Sequence, residues 1–250
     1  MKQRPQSLAE LLQREPFTLC LSAGFFGFYA HGGMVSALET LGLRPTRIVG
    51  ASAGAIVGGC VASGAELSDL QSFLFYLRRT DFWDPSAGAG LLRGERFDRM
   101  LRALMPTTRV EDFETEFSCS AWSLRERRSV PLSAGDVVPS IRASAAFPLL
   151  FQPVDIDGER YLDGGIGDRP GFVSLAPTER TLYHHLSTRS PWRMRGGASV
   201  MPPIGPSVLP LDLGSFRRLG PFSLGDGPKV WAEARERALR ALTMPRSLPL

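Results

Sequence analysis

The chain has 250 residues, of which 43% are hydrophobic, enough for one or two globular domains with a sizeable core. This composition excludes a small disulfide-dependent scaffold, and 22% charged residues without a low-complexity tract exclude a wholly disordered chain. The net charge of +4 is uneven, because 10 basic and only 4 acidic residues follow residue 186.

The first part of the chain predicts a helix, a strand and a second helix. Residues 1–16 form a short amphipathic pattern that ends at Pro16. Residues 17–22 are an apolar run that stops at small residues, which is typical of a buried parallel strand. Helical apolar spacing follows over residues 31–41, with Gly42 as the stop signal.

The middle of the chain continues this alternation. A strand over 46–49 leads into a helix of small residues over 53–63, and together with the preceding elements this order is typical of a parallel α/β sheet. Two further helices are predicted over 67–79 and 96–105, and a strand over 117–124.

The last part combines a hairpin with a weakly patterned segment. Asp157-Gly158 is a two-residue turn signal between strands over 154–156 and 160–162. After Ser187, proline and glycine interrupt the pattern until a basic amphipathic helix over 229–242.

Neither a membrane span nor a secretory signal is evident. The longest apolar stretch, residues 17–30, is too short to cross a bilayer as a helix. The N-terminus lacks the apolar run of a signal peptide, so we expect a cytoplasmic protein. Cys20, Cys60 and Cys119 are widely spaced among apolar residues, which indicates buried free thiols rather than disulfides or a zinc site.

Residues 50–54, Gly-Ala-Ser-Ala-Gly, lie between a predicted strand and a predicted helix, as a nucleophile elbow does. The turn is so tight that side chains two positions either side of Ser52 would meet backbone, and Gly50 and Gly54 occupy those positions. Ser52 would lie at a helix N-terminus, where backbone N–H groups favour developing negative charge. The same five residues would also suit a turn that merely packs a helix closely on a sheet.

The loop over residues 22–27 supplies candidate oxyanion donors. It follows the first predicted strand, so it lies at the same carboxyl edge of the sheet as Ser52. The amides of Gly24 and Phe25, together with that of Ala53, are our candidates for the oxyanion hole. A phosphate or dinucleotide loop is the competing interpretation, but no acidic residue follows at the position of a ribose contact.

The general base distinguishes two enzyme classes. His184 or His185 could complete a serine–acid–histidine triad, but Ser52 follows only two predicted strands, whereas the elbow of an α/β-hydrolase normally follows several. Asp163 ends a predicted strand and precedes two glycines. A buried carboxylate can accept the serine proton directly when burial raises its pKa. Asp-Gly-Gly also occurs in ordinary turns.

These blocks, in this order, resemble the patatin-like phospholipase family over about residues 17–186. The elbow is similar to the family's GxSxG block, and residues 163–165 to its DG[AG] block. Residues 143–154 are similar to the helix end and PxxFxP segment that precede the family's aspartate. The resemblance implies that Ser52 is the nucleophile and Asp163 its proton acceptor. The motif glycines are Gly27, Gly50, Gly54, Gly164 and Gly165.

The oxyanion loop departs from the family's GxGxxG pattern. Ser22 stands at the first glycine, Gly24 and Gly27 match the other two, and Phe26 replaces the cation common in bacterial and plant members. The run over residues 23–29 is more similar to the loop of the animal triglyceride-lipase branch.

The resemblance implies a three-layer α/β/α fold with a mostly parallel sheet, and hydrolysis of lipid acyl esters through an acyl-enzyme without metal or cofactor. It divides the chain into an N-terminal amphipathic segment over 1–16, a catalytic domain over 17–186 and a basic extension over 187–250. We expect a lipid acyl-ester substrate, peripheral contact with a membrane or lipid surface and no nucleic-acid partner. A catalytically silent lipid-binding protein is the alternative from another class.

Overall fold

The computed structural model describes residues 6–187, 201–202 and 204–246. Parts of the predicted N-terminal segment and C-terminal extension, residues 1–5, 188–200, 203 and 247–250, lie outside it. The described strands are β1 (Gln6–Ser7), β2 (Thr18–Leu21), β3 (Arg47–Ala51), β4 (Gly90–Leu92), β5 (Glu116–Ser123), β6 (Arg128–Leu132), β7 (Leu149–Phe151), β8 (Val154–Ile156), β9 (Glu159–Asp163), β10 (Thr181–His185), β11 (Val208–Asp212) and β12 (Pro245–Arg246). The helices are α1 (Leu8–Leu12), α2 (Phe28–Thr40), α3 (Ala53–Ala62), α4 (Leu67–Tyr76), α5 (Arg79–Phe82), α6 (Glu95–Leu104), α7 (Val137–Ser144) and α8 (Gly227–Thr243).

The central sheet has eight strands in the order β11-β10-β2-β3-β5-β9-β8, with β6 also paired to β5. The run from β11 to β5 is parallel, whereas β6, β9 and β8 pair antiparallel. The predicted mixed α/β fold with a mostly parallel sheet is confirmed. Every residue of β2 is buried, as expected for a strand covered on both faces.

Strand alternation divides the core between the two faces of the sheet. Leu19, Leu21 and Ile48 belong to the main core, which also contains most of the buried apolar residues of the helices. Cys20, Val49 and Tyr183 point to the other face, where Phe172 and Leu175 of an irregular segment pack against them. All three cysteines are buried free thiols, as predicted.

Register brings the functional loops to one edge. Leu21 pairs with Gly50, so the loop after β2 and the turn after β3 begin side by side. On the other side of β3, β5 pairs with β9, and Ala121 opposes Asp163. The carboxyl ends of β2 and β3 and the end of β9 therefore meet at one place.

Several predicted elements are confirmed with shifted ends. The hairpin of β8 and β9 turns at Asp157 and Gly158, both with positive φ (53° and 80°), as a two-residue hairpin turn requires. The prediction of one continuous helix over 67–79 is wrong. The chain leaves helical geometry at Leu77, whose ψ is 126°. Leu77 lines an apolar pocket at the edge of the sheet.

Two parallel strands of the central sheet have no counterpart among the predicted elements. β10 carries two histidines and a tyrosine, and β11 carries Pro210, so neither has the apolar run of β2. In β10 these polar side chains are buried and hydrogen-bonded: His184 contacts His31, and Tyr183 contacts His185. Because β11 pairs with β10, part of the chain after residue 186 belongs to the central sheet.

The C-terminal helix α8 packs along α2. Trp231 is 2% exposed and lies so close to α2 that a Cβ on Gly32 would come within 1.9 Å of its ring. Val230, Ala234 and Leu242 are buried in the same core. The apolar face of this basic amphipathic helix is therefore occupied by the protein itself.

Candidate active site

Ser52 occupies a strained turn between β3 and α3. Its φ of 52° and ψ of −114° lie outside the regions that non-glycine residues usually adopt, at a cost of about 1–3 kcal/mol. A Cβ on Gly50 would lie 2.6 Å from the carbonyl carbon of Gly54, and one on Gly54 would lie 2.1 Å from the carbonyl oxygen of Leu21. The elbow therefore requires glycine at both positions.

Ser52 and Asp163 meet across the edge of the sheet. The Ser52 hydroxyl Oγ donates a hydrogen bond to Asp163 Oδ2 at 2.7 Å. The other carboxylate oxygen, Oδ1, accepts the backbone N–H of Gly165 at 2.7 Å. A Cβ on Gly164 would lie 2.1 Å from the carbonyl oxygen of Ser120, so this glycine lets the chain pass closely beside β5. These contacts fix the carboxylate against the serine.

Burial makes Asp163 a stronger base than an ordinary aspartate. The side chain is 3% exposed, and burial raises its pKa to about 6, although hydrogen bonds from Ser52 and Gly165 oppose the shift. The carboxyl is still ionised at neutral pH, and its affinity for a proton is higher than that of a solvated aspartate. A group with this pKa can take a proton and return it within one catalytic cycle.

The candidate oxyanion amides lie around the same pocket. Ala53 begins α3, so its N–H has no carbonyl of the preceding turn to bond within the helix. Within the described residues, the amides of Gly24 and Phe25 donate no backbone hydrogen bond, whereas the carbonyl of Gly24 accepts the N–H of Gly27 at 2.9 Å. Gly24, Phe25 and Ala53 all line the pocket that contains Ser52.

Ser144, whose hydroxyl hydrogen-bonds the backbone of Ser52, was assigned no role in the sequence analysis. Ser144 is fully buried at the end of α7, and its hydroxyl accepts the backbone N–H of Ser52 at 2.9 Å. Its place in the Ala/Ser-rich helix end that precedes Asp163 is the sequence feature that could have indicated this role. The Ser52 amide is thereby engaged, which leaves the Ala53 amide as the donor on this side.

The pocket is mostly apolar. Ser52, Asp163 and Arg169 are its only lining residues with a hydroxyl or charged side chain among those described. Aromatic side chains from several separate segments form much of the wall. They are Phe25, Phe26, Phe28, Phe82, Phe97, Phe147 and Phe151. Five of them belong to the run over residues 23–29 or to the segment 143–154 before the aspartate, whereas Phe82 and Phe97 come from segments that no motif marked. A hydrocarbon chain fits such a wall because its apolar surface is removed from water there without leaving a polar group unpaired.

The histidines do not contact Ser52. The rings of His31 and His184 share a hydrogen bond between their Nδ1 atoms at 2.9 Å, and His31 Nε2 contacts the carbonyl of Ser22 at 2.8 Å. Burial lowers the pKa of His31 to about 4 and that of His184 well below its ordinary value, so both rings are neutral at pH 7. His185 is buried and contacts the Tyr183 hydroxyl at 3.0 Å.

Across residues 6–187, 201–202 and 204–246, no three histidine, cysteine or acidic side chains cluster as metal ligands do. In the same ranges no helix combines the length and the apolar character needed to cross a bilayer.

Comparison with known proteins identifies the family to which this chain belongs. The profile of the family described as "Patatin-like phospholipase" matches residues 19–175, which is more than half of the chain. The chain belongs to the patatin-like phospholipase family. The matched residues include the elbow, Ser144 and Asp163.

Curated relatives share this patatin-like region. An uncharacterised NTE family protein of Mycobacterium tuberculosis is 33% identical over 167 residues, covering 66% of this chain and 46% of that protein. Lysophospholipase nte1 of Emericella nidulans is 29% identical over 170 residues, covering 64% of this chain and 11% of that protein. The chain thus matches less than half the length of these relatives.

A solved structure shares the fold. VipD from Legionella pneumophila superimposes with a TM-score of 0.65 at 15% identity, over 91% of this chain and 67% of that one. The superposition extends the shared fold beyond the sequence match.

Proposed function

We propose that this patatin-like chain is a lipid acyl hydrolase that uses Ser52 and Asp163 as a catalytic dyad. The observation that carries the proposal is the 2.7 Å hydrogen bond from the Ser52 hydroxyl to the buried carboxylate of Asp163, at a strained elbow that opens into an apolar pocket. Family membership supports the same chemistry, and the relative named a lysophospholipase acts on an acyl ester of a lipid.

In the acylation step, Asp163 takes the proton of the Ser52 hydroxyl while Oγ attacks the ester carbonyl carbon. The negative charge that develops on the carbonyl oxygen is held by the amides of Gly24, Phe25 and Ala53. When the tetrahedral intermediate collapses, the bond to the leaving alkoxide breaks. Asp163 returns the proton to that oxygen, and the acyl group stays on Ser52.

In the deacylation step, the same residues act on water. Asp163 accepts a proton from the attacking water, and the second tetrahedral intermediate uses the same oxyanion donors. Its collapse releases the fatty acid and returns the proton from Asp163 to Ser52 Oγ. One carboxylate thus serves as base and acid in both half-reactions, which suits a pKa raised toward neutrality.

The substrate class follows from the pocket. An acyl chain lies along the aromatic wall, and its ester carbonyl lies beside Ser52. Such substrates aggregate in membranes or lipid particles, so we propose peripheral contact with a lipid surface. The basic C-terminal helix is not the element for this contact, because its apolar face is buried against α2.

The direct test is hydrolysis of a soluble short-chain ester and of a lysophospholipid by the wild-type chain and the Ser52→Ala variant. Turnover by the wild type that is lost in the variant supports the proposal. Folded wild-type protein without turnover on either ester would favour a silent lipid-binding protein, for which the irregular oxyanion loop with Ser22 and Phe26 is the motivating feature.

A further inference from the structure

The three most exposed large apolar side chains in the described ranges lie beside segments that line the active-site pocket. They are Leu149, Phe222 and Tyr76, with 82%, 81% and 80% of their surface exposed. Tyr76 directly precedes Leu77, and Leu149 directly precedes Leu150, and both leucines line the pocket. Exposed apolar side chains at this place lower solubility without contributing to the core.

A shallow groove joins Tyr76 to Phe222. It is lined by residues 75–79 and by Pro221, Phe222, Leu224 and Gly225. Leu77 lines both this groove and the active-site pocket, so the two hollows adjoin. Phe222 is therefore part of one surface with the mouth of the pocket, although it is distant in sequence.

This surface is cationic as well as aromatic. Arg78 and Arg79 are exposed, and the Arg79 guanidinium lies 4.8 Å from the ring centre of Phe222 and 5.2 Å from that of Trp83. No carboxylate lines the groove among the described residues. Aromatic rings beside arginines are typical of protein surfaces that enter the headgroup region of a membrane, where rings insert and guanidinium groups meet phosphates.

The backbone at Leu149 supports the same conclusion. Its φ of 69° is in the left-handed region that leucine rarely adopts. This strained backbone holds an apolar side chain exposed to solvent. Strain of this kind persists where the surrounding structure imposes it, often at sites that contact a ligand.

We propose that a rim formed by Tyr76, Arg78, Arg79, Leu149 and Phe222 docks onto an anionic lipid surface and brings the pocket mouth against it. The purpose of the docking rests on the proposed function, because acyl esters held in a lipid layer reach Ser52 only if the pocket opens onto that layer. Apolar side chains enter the layer, and the two arginines pair with its negative headgroups. Binding therefore weakens as the salt concentration rises.

The test measures binding of the full chain to phosphatidylcholine vesicles with and without one-third phosphatidylglycerol, in the Ser52→Ala background so that no lipid is hydrolysed. The rim variants are the double changes Tyr76→Ser with Phe222→Ser, and Arg78→Gln with Arg79→Gln. The matched control is Met244→Ser with Arg44→Gln. Met244 is 59% exposed at the far end of α8, and exposed Arg44 precedes β3 at the opposite edge of the sheet from Ser52.

We expect each rim variant to bind anionic vesicles about tenfold or more weakly, and the control to bind like the parent. We expect the arginine variant to lose the preference for anionic over neutral vesicles. Unchanged binding by the rim variants, no binding by the parent, or equal loss in the control would each overturn the proposal. So would a monomer–oligomer change caused by Tyr76→Ser with Phe222→Ser, since the rim would then be a contact between copies.

Activity separates this proposal from the proposed function. With Ser52 restored, the variant Tyr76→Ser with Phe222→Ser should hydrolyse a soluble short-chain ester within about twofold of wild type and lose at least tenfold on vesicle-borne ester, because neither residue lines the pocket. An equal loss of hydrolysis rate on the soluble and the vesicle-borne ester would overturn the docking proposal. If the wild type hydrolyses neither ester but its vesicle binding still depends on the rim, the docking proposal stands and the proposed hydrolase function is rejected.

Discussion

The hydroxyl of Ser144 accepts the backbone N–H of Ser52 at 2.9 Å, so the end of α7 fixes the peptide that carries the nucleophile. Ser144 is fully buried, and α7 packs against both α3 and β5. This bond positions Ser52 without touching the reacting atoms, and it connects the helix end before the aspartate with the elbow.

Removing that hydroxyl should harm both stability and turnover. Ser144→Ala removes the hydrogen-bond partner of the half-buried Ser52 amide, which costs about 1 kcal/mol, and we expect kcat on a soluble ester to fall about tenfold as the elbow relaxes. Ser140→Ala is the control, since Ser140 is buried on the same helix and its hydroxyl donates to the carbonyl of Asp136 rather than contacting the elbow. Chemical denaturation and steady-state kinetics measure both effects, and equal kinetics for the two variants would reject the positioning role.

The pH profile should report the pKa of Asp163. Only the ionised carboxylate accepts the Ser52 proton, so log kcat/KM should fall with a slope of about one below about pH 6. An unperturbed aspartate would shift this fall to about pH 4. Flat activity from pH 7 down to pH 4.5, in protein that remains folded by circular dichroism, would show that burial does not set the base.

The same burial predicts that Asp163 destabilises the fold at neutral pH. Its folded pKa of about 6 exceeds the unfolded value of 3.8, so the folded state binds the proton more tightly. Stability therefore falls as pH rises from about 4 to 6, and the whole penalty, on the order of 3 kcal/mol, persists above pH 6.

Asp163→Asn should remove this penalty together with activity. We expect the variant to unfold at a higher temperature than wild type at pH 7.5, with the difference vanishing near pH 4. Calorimetry at both pH values measures it. A variant less stable than wild type at pH 7.5 would contradict the linkage.

The buried histidines should be dispensable for chemistry. His184→Gln keeps a polar partner for His31, and we expect kcat/KM within about fivefold of wild type, because His184 contacts His31 and not Ser52. His185→Gln should behave likewise. A loss as large as that of Asp163→Asn in either folded variant would instead favour a serine–acid–histidine triad.

The elbow glycine at position 54 should not tolerate a methyl group. In Gly54→Ala the new Cβ would meet the Leu21 carbonyl oxygen at 2.1 Å, and moving the backbone of β2 should cost about 3 kcal/mol. Gly205→Ala is the control, because nothing lies within 4 Å of its added Cβ. Urea unfolding compares them, and two equally stable variants would contradict the close approach.

The sequence predicted those parts whose physics is local. Residues 17–22 and 46–49 had the apolar runs of buried parallel strands, and the glycines around Ser52 indicated a tight turn. The Asp157-Gly158 turn likewise fixed the hairpin that ends at Asp163.

The remaining elements depend on distant partners. β10 is buried although it contains His184 and His185, because His31 from the distant helix α2 hydrogen-bonds His184 and Tyr183 of the same strand hydrogen-bonds His185. The spacing of residues 229–242 predicted that α8 is amphipathic, but its apolar face packs on α2, which is distant in the sequence. No local pattern shows which surface an amphipathic helix will cover.

The measurement that tests the dyad most directly is labelling by a lipid-like fluorophosphonate, followed by intact mass and peptide mapping. Wild type should carry one label on Ser52, Ser52→Ala none, and folded Asp163→Asn should label at least a hundredfold more slowly, because the proton acceptor is lost. Equal labelling rates for wild type and Asp163→Asn, or an unlabelled Ser52 in folded wild type, would contradict the proposed mechanism.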